Sequence, residues 1–520
     1  LSKWRSAAFL LVALLVVALV VTSCAKPPAP TSLKVAIIGN PQTLDIGRTT
    51  ASVTLYTMWH VFESLFTMDA NYNPIPHLVK NDWTVSEDGL TYKFNLREGI
   101  KFHNGKEMTA DDVIASLERW GEHATWGKNL WQVKESLTAN GKYQVILELT
   151  EPVAIVPLYL TTSNLAIMPK EIITEAGTGQ VNKFIGTGPF EFVEFVPDRH
   201  IKLKKFAGYT PLPGAPNGYG GKREALVDEL LFIPIDDPAV RIAGVQTGDY
   251  HFGEWIPPDE YERLKGISNV VTKIIKPAGW TTASFNRGPG AMMANKKLRQ
   301  AILAAFDMEP IMKAAYGHED FWRLDSGVLF QEQGMYSDAG KEFYNQADPE
   351  RARQLAKEAG YKGQTIRWLT TQTYPAYYTT ALVGKQQLEE AGFNVELVVV
   401  DWATVVTLRS DPKGYELFST AFGTTWDPVL GLMLSPEWPA KAVASQDPEM
   451  IRLLGEMRSE SDPAVRKELW DQAQAIFWDD VPVIKFGDYF NLHIHRPELQ
   501  GYQAMQTSFF WNVSLAPAKK

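Results

Sequence analysis

One cysteine, Cys24, serves the whole chain of 520 residues. No disulfide can therefore form within one molecule, and no second thiol is available as a nucleophile or metal ligand. The signatures of common catalytic sites are missing too. There is no Gly-x-Ser-x-Gly elbow, no Gly-x-x-x-x-Gly-Lys-Ser/Thr phosphate loop and no His-Glu-x-x-His zinc helix. Gly186-Thr187-Gly188 is too short to cradle a phosphate and precedes a strand pattern, not a helix. Basic runs are absent. The net charge is −9 and Lys and Arg form no stripe, which excludes nucleic acid as a partner. No apolar run reaches the roughly 18–20 residues that a membrane span needs, and no fixed-period repeat suggests a solenoid. The histidines are dispersed. His493 and His495 alternate onto one strand face, but no cysteine or nearby acid completes a metal site. No metal or other cofactor is expected. Acid pairs such as Glu389-Glu390 fit a solvated helix face better than a catalytic dyad.

What is present describes a large globular protein. A hydrophobic content of 45% supports real cores, and a chain of this length exceeds one ordinary core, so two or more lobes are expected. At the N-terminus, Lys3 and Arg5 precede an apolar run from Ala7 to Val21 and a small-residue exit. This is the layout of a secretory signal. Val21-Thr22-Ser23-Cys24 resembles a bacterial lipobox, in which the cysteine is acylated and becomes the first mature residue. The segment from Ala25 to Thr31 carries three prolines and reads as a tether. Further on the pattern is mixed α/β. Leu33–Ile38, Tyr92–Leu96, Tyr143–Leu149, Phe190–Val196, Ile201–Phe206 and Val395–Val400 alternate or run apolar like strands. Asp237-Pro238, Asp348-Pro349, Asp447-Pro448 and Asp462-Pro463 each place a capping carboxylate before a proline at the first helical position. Gly360 and Gly392 close Glu/Ala-rich helical runs.

A longer stretch carries a family likeness. Asn81-Asp82-Trp83 leads through Glu87-Asp88-Gly89-Leu90-Thr91-Tyr92 and Leu96-Arg97-Glu98-Gly99-Ile100-Lys101-Phe102 to Thr109-Ala110-Asp111-Asp112-Val113. Gly186-Thr187-Gly188-Pro189-Phe190, Asp236-Asp237-Pro238, Leu298-Arg299-Gln300-Ala301, Asp401-Trp402 and Phe510-Trp511-Asn512 follow in order. Together these resemble solute-binding protein family 5, the peptide and nickel binders of ABC importers, in its dipeptide/oligopeptide-like branch. The resemblance implies an α/β, two-lobed periplasmic-binding-protein fold (type II, cluster C-like) with two interlobe crossovers. It also implies an extra subdomain in the N-terminal lobe. The expected organisation is a signal peptide over 1–23 and a lipidated tether over 24–32. Lobe I takes 33–280 plus 489–520, with the subdomain at roughly 57–185, and lobe II takes 281–488. The implied function is capture of a short peptide between the lobes and delivery to a membrane permease. The protein would be a monomer held at the outer face of the cell membrane by acylated Cys24.

In peptide-binding relatives an aspartate shortly before an Asp/Glu-Pro pair grips the α-amino group. The resemblance puts Thr424 at that place, so the charge is missing. Asp427 is the substitute candidate, with helix capping before Pro428 as its structural alternative. Trp426 and Trp280 could offer ring faces to a solute or pack in the core. The segment Asn40–Asp45 is a further candidate for the cleft wall. Two other readings stay open: a binder of an oligosaccharide or other polar solute, and a secreted hydrolase. The second requires two carboxylates or a triad converging in the cleft.

Overall fold

The computed structural model describes residues 31–49, 51–435, 438–440 and 447–516. The expected signal segment and Cys24 lie outside the described residues. Eleven strands form one large sheet: β1 (Ser32–Ile37), β2 (Phe190–Val196), β3 (His200–Lys205), β4 (Glu229–Pro234), β5 (Phe252–Ile256), β6 (Val271–Phe285), β7 (Trp322–Arg323), β8 (Thr365–Thr370), β9 (Asn394–Val399), β10 (Leu417–Gly423) and β11 (Val483–His495). Their order is β9-β8-β10-β6-β11-β5-β1-β4-β3-β2, with β7 added against β11. In β1, Leu33 and Val35 are buried and Lys34 is exposed. From Val35 onward both faces are covered, as suits a strand held in parallel between β4 and β5. Ser32 already pairs with Glu229, and the Thr31 N–H and hydroxyl donate to Asp228 at 2.8 and 2.9 Å. The folded lobe thus takes in the last residues of the expected tether.

The sheet serves two lobes because β6 and β11 are long enough to belong to both. They pair antiparallel from Val271 opposite His495 to Ser284 opposite Val483. One end of this ribbon continues through β11 into β5, and the other through β6 into β10. The ladder shifts register between Ile275 and Gly279, where Pro277 has no N–H to donate. Gly279 is needed there for space: a Cβ would come within 2.6 Å of the Tyr489 hydroxyl and 2.8 Å of the Phe422 carbonyl. A second shift falls between Thr281 and Thr282, and a ribbon whose pairing is interrupted can bend there with few dihedral changes.

Each lobe has its own core. One is built around Leu33, Phe62, Phe232 and Phe510. The other is built around Phe306, Trp368, Trp478 and Phe486. A four-stranded antiparallel sheet (Thr84–Val85, Thr91–Asn95, Gln144–Leu149, Lys134–Ala139) packs with the helix Ala110–His123 over Phe94, Leu117, Trp120 and Leu147. This is the extra subdomain. At the start of its helix, the Thr109 N–H donates to Asp112 at 3.0 Å, which satisfies a backbone group the helix leaves orphaned. The lobes touch. Leu430, from the loop beyond β10, is buried in the subdomain core, and the Ala154 N–H donates to the Arg458 carbonyl at 2.8 Å. Among the described residues, no helix is long and apolar enough to cross a membrane.

Candidate functional site

Between the lobes lies a cavity of about 350 Å³. The helix Ser52–Met58 presents Leu55 and Tyr56 to it, with Trp59 following, and Thr161–Ser163 and Gln506–Ser508 extend that wall. The opposite lobe contributes Gly423, Thr424 and Trp426. The ribbon forms the floor. Tyr489, Asn491 and His493 lie two apart on β11 and so share a face.

Among the described residues, one carboxylate belongs to this wall, Glu254 on β5. Two neighbours along a regular strand point to opposite faces, yet Glu254 and Trp255 both line the cavity. The backbone explains it. Trp255 has φ 49°, in the left-handed region, and β5 shifts register against β11 between Gly253 and Ile256. Bulges of this kind re-aim side chains, and such strain collects at functional sites. Trp255 is left 43% exposed and Glu254 only 2%.

The surroundings of Glu254 leave its charge open to a partner. Among the described residues its two hydrogen bonds, from the Tyr56 hydroxyl at 2.7 Å and the Ile38 N–H at 2.8 Å, reach the same oxygen, Oε1. Arg241 is near, but its guanidinium is committed to main-chain carbonyls: Nε to Glu254 O at 3.0 Å, Nη2 to Trp255 O at 2.8 Å and Nη1 to Ile235 O at 2.6 Å. Burial pushes the Glu254 carboxyl up to about 7, against the opposing effect of these donors and of Arg241. His493 behaves oppositely. Burial holds its imidazole down to about 3, so it is neutral. Its Nδ1 lies 3.2 Å from the Tyr502 hydroxyl and 3.4 Å from the Ser508 hydroxyl.

The expected site residues divide. Thr424 and Trp426 reach the cavity. Among the described residues the buried Thr424 hydroxyl has no hydrogen-bond partner, a group that a solute could satisfy. Asp427 points away from the main cavity. It caps the turn Pro428–Leu430, accepting the Val429 N–H at 3.0 Å, and it forms a buried ion pair with Arg466. Trp280 is 1% exposed, tilted on Phe422 with ring centroids 4.9 Å apart, inside the second lobe's core. The strand alternation that places it on a face turns that face inward. The segment Asn40–Asp45 requires a correction as well. Asn40 pairs with Asp198, and Asp45 is a buried partner for Arg119 at 2.6 Å, so neither wall residue faces the cavity. Glu254, Trp255 and Tyr489 were not anticipated. The available signal was a charged residue inside the apolar strand Phe252-Gly253-Glu254-Trp255-Ile256, a position that burial disfavours without a purpose.

Two lobes joined by a bendable ribbon, enclosing a cavity of mixed ring, hydroxyl and amide character, define a solute-binding protein. The chain belongs to the bacterial extracellular solute-binding proteins, family 5, whose middle region it matches over residues 73–436. It is 27% identical over 502 residues to a Sinorhizobium fredii protein named "Probable peptide ABC transporter periplasmic-binding protein", with 92% of each chain covered. It is 26% identical over 519 residues to the glutathione-binding protein of Escherichia coli, covering 96% of this chain and 97% of that one. Among solved structures, a substrate-binding protein of Listeria monocytogenes superposes with a TM-score of 0.80 at 21% identity, covering 94% of this chain and 100% of that one. The oligopeptide-binding protein of Bacillus subtilis, solved with a nonapeptide, gives 0.76 at 21%, with 94% and 100% covered. These structural likenesses establish the two-lobed fold.

Proposed function

We propose that this protein captures a short peptide in the interlobe cavity and delivers it to the permease of an ABC importer. The observation that carries this reading is Glu254. Among the described residues no cationic side chain is paired to this buried carboxylate, which stands in the wall of the interlobe cavity. A desolvated carboxylate calls for a cation, and a peptide's α-ammonium is one. Thr424 and Trp426 from one lobe and Glu254, Trp255 and Gln506 from the other would then contact a single solute. The names of the peptide and glutathione binders among its relatives support the class. The Val21-Thr22-Ser23-Cys24 sequence supports export and a lipid anchor at Cys24, and the protein would work as a monomer at the outer face of the membrane.

We assign it no catalytic step. His493 and Ser508 approach each other in the cavity, but an imidazole that titrates near 3 is too weak a base at neutral pH to activate a hydroxyl. Mass spectrometry of the solute released from the mature protein tests the reading. Peptide masses are expected, and their replacement by a sugar or another uncharged solute would refute it.

A further inference from the structure

The interlobe cavity has a neighbour among the described residues. Beside the larger one is a second of about 200 Å³, lined by Tyr72, Pro157, Leu158, Gln333, Met335 and Asp427 among others. Trp426 belongs to the walls of both. Behind it stands Tyr72, whose ring stacks on the indole with centroids 4.6 Å apart and planes at 24°. The two rings come from opposite sides of the cleft. Tyr72 sits in the turn between the short strands Phe66–Met68 and Pro74–Pro76 of the N-terminal lobe, and Trp426 sits in the loop after β10 of the other lobe. The stack therefore exists only when the lobes are closed. Each ring is also fixed from its own side. The Tyr72 backbone is held at φ 61°, and its hydroxyl accepts the Gln506 N–H at 3.3 Å. The Trp426 loop is pinned by the Gln333 amide, which donates to the Thr425 carbonyl at 2.6 Å, and by the Asp427–Arg466 pair.

We propose that Tyr72 and Trp426 form an aromatic partition that closes across the cleft and sets the length of the solute. The inference rests on the peptide reading above. Each extended residue adds ~3.5 Å to a peptide, and a compartment of about 350 Å³ has room for only a short one. A longer peptide must continue into the second compartment. The ring pair blocks that route, so a longer solute either prevents the stack from forming or holds the lobes apart. Closure and length selection are then one event, because the partition is assembled from both lobes by the motion that traps the solute.

The test is a ladder of alanine peptides, from di-alanine to penta-alanine, titrated calorimetrically into the full-length mature protein and into Trp426→Ala, Tyr72→Ala and Trp426→Phe. The wild type should bind di- or tri-alanine at least tenfold more tightly than penta-alanine. Either alanine variant should shrink that ratio to threefold or less, and Trp426→Phe, which keeps a stacking ring, should restore it. The ratio is the readout because general damage to the loop would lower every affinity alike. A wild type that binds all lengths equally, or an unchanged ratio in both alanine variants, overturns the partition and leaves the peptide reading standing. If no peptide of the ladder binds wild type or variants, the peptide reading fails and the partition falls with it. Alanine variants made in opposite lobes guard against one that does not fold.

Discussion

Replacing Glu254 by glutamine should move stability and affinity in opposite directions. Glutamine keeps an oxygen for the Tyr56 hydroxyl and the Ile38 N–H, so the geometry is preserved and only the charge is lost. In the empty protein that charge is unfavourable: burial raises the carboxyl from 4.5 to about 7. The folded state therefore holds its proton more tightly than the unfolded chain. Stability from this group is greatest below about 4.5, declines as the pH rises to about 7, and stays flat beyond. At about 1.4 kcal/mol per pH unit the loss approaches ~3 kcal/mol. Above pH 7 the ligand-free Glu254→Gln protein should accordingly melt at a higher temperature than the wild type, and near pH 4.5 the two should melt together.

Binding should respond the other way. Removing one partner of a desolvated charge pair costs roughly 2–5 kcal/mol, which is about 30-fold to several-thousand-fold in affinity. The assay is calorimetric titration with tri-alanine at about pH 7.5, where most of the peptide keeps its ammonium, beside N-acetyl-tri-alanine, which lacks it. The wild type should discriminate strongly between the two and the variant should not. Because the bound ammonium favours the carboxylate, wild-type affinity should be greatest between about pH 7 and 8, fall by up to about tenfold per unit below that as Glu254 gains its proton, and fall again above it as the free peptide loses its own. Equal affinity of wild type and variant for tri-alanine, or equal wild-type affinity for the acetylated peptide, would refute the reasoning, as would a variant less stable than the wild type at pH 8.

Asp427→Asn should lower stability and leave affinity unchanged. Asparagine can still cap Val429, but Arg466 loses its buried counter-charge, so the melting temperature should fall, by the equivalent of about 3 kcal/mol. Affinity for tri-alanine should stay within threefold by calorimetry. Cys24→Ser should abolish lipid labelling and release the protein from the membrane pellet, and equal retention would exclude the anchor. Saturating tri-alanine should reduce the radius of gyration seen by small-angle scattering while circular dichroism stays unchanged, since the lobes rotate about a ribbon that keeps its hydrogen bonds.

What could be read from the sequence was what neighbouring residues decide among themselves. Phe190–Val196 is a strand with the expected bounds, and Asp237, Asp348, Asp447 and Asp462 each cap a helix before its proline. A cap needs only a carboxylate, the next few N–H groups and a proline that demands none. For the same reason the capping half of Asp427 was legible and its Arg466 partner, thirty-nine residues on, was not. The polar heart of the site lies further out of reach. Glu254 owes its position to Tyr56, 198 residues away, and to a left-handed residue at Trp255 that no local pattern announces. The open state of its charge depends on Arg241 being committed to backbone carbonyls.

These long-range placements also revise where the charge of the site sits. The family resemblance puts the charged contact at the position of Thr424, where the charge is missing, with Asp427 as its substitute candidate. Asp427 is neutralised by Arg466, and the carboxylate in the cavity wall among the described residues, Glu254, stands on the first lobe. The rearrangement suits closure. In the proposed binding mode, a solute anchored through its ammonium to Glu254 on one lobe would gain the Thr424 hydroxyl and the Trp426 ring only when the other lobe arrives. Ligand can shift an open–closed equilibrium only by its differential affinity for the two states. A cleft with its charge on one wall, and an unsatisfied hydroxyl and a ring on the other, confines much of that affinity to the closed state.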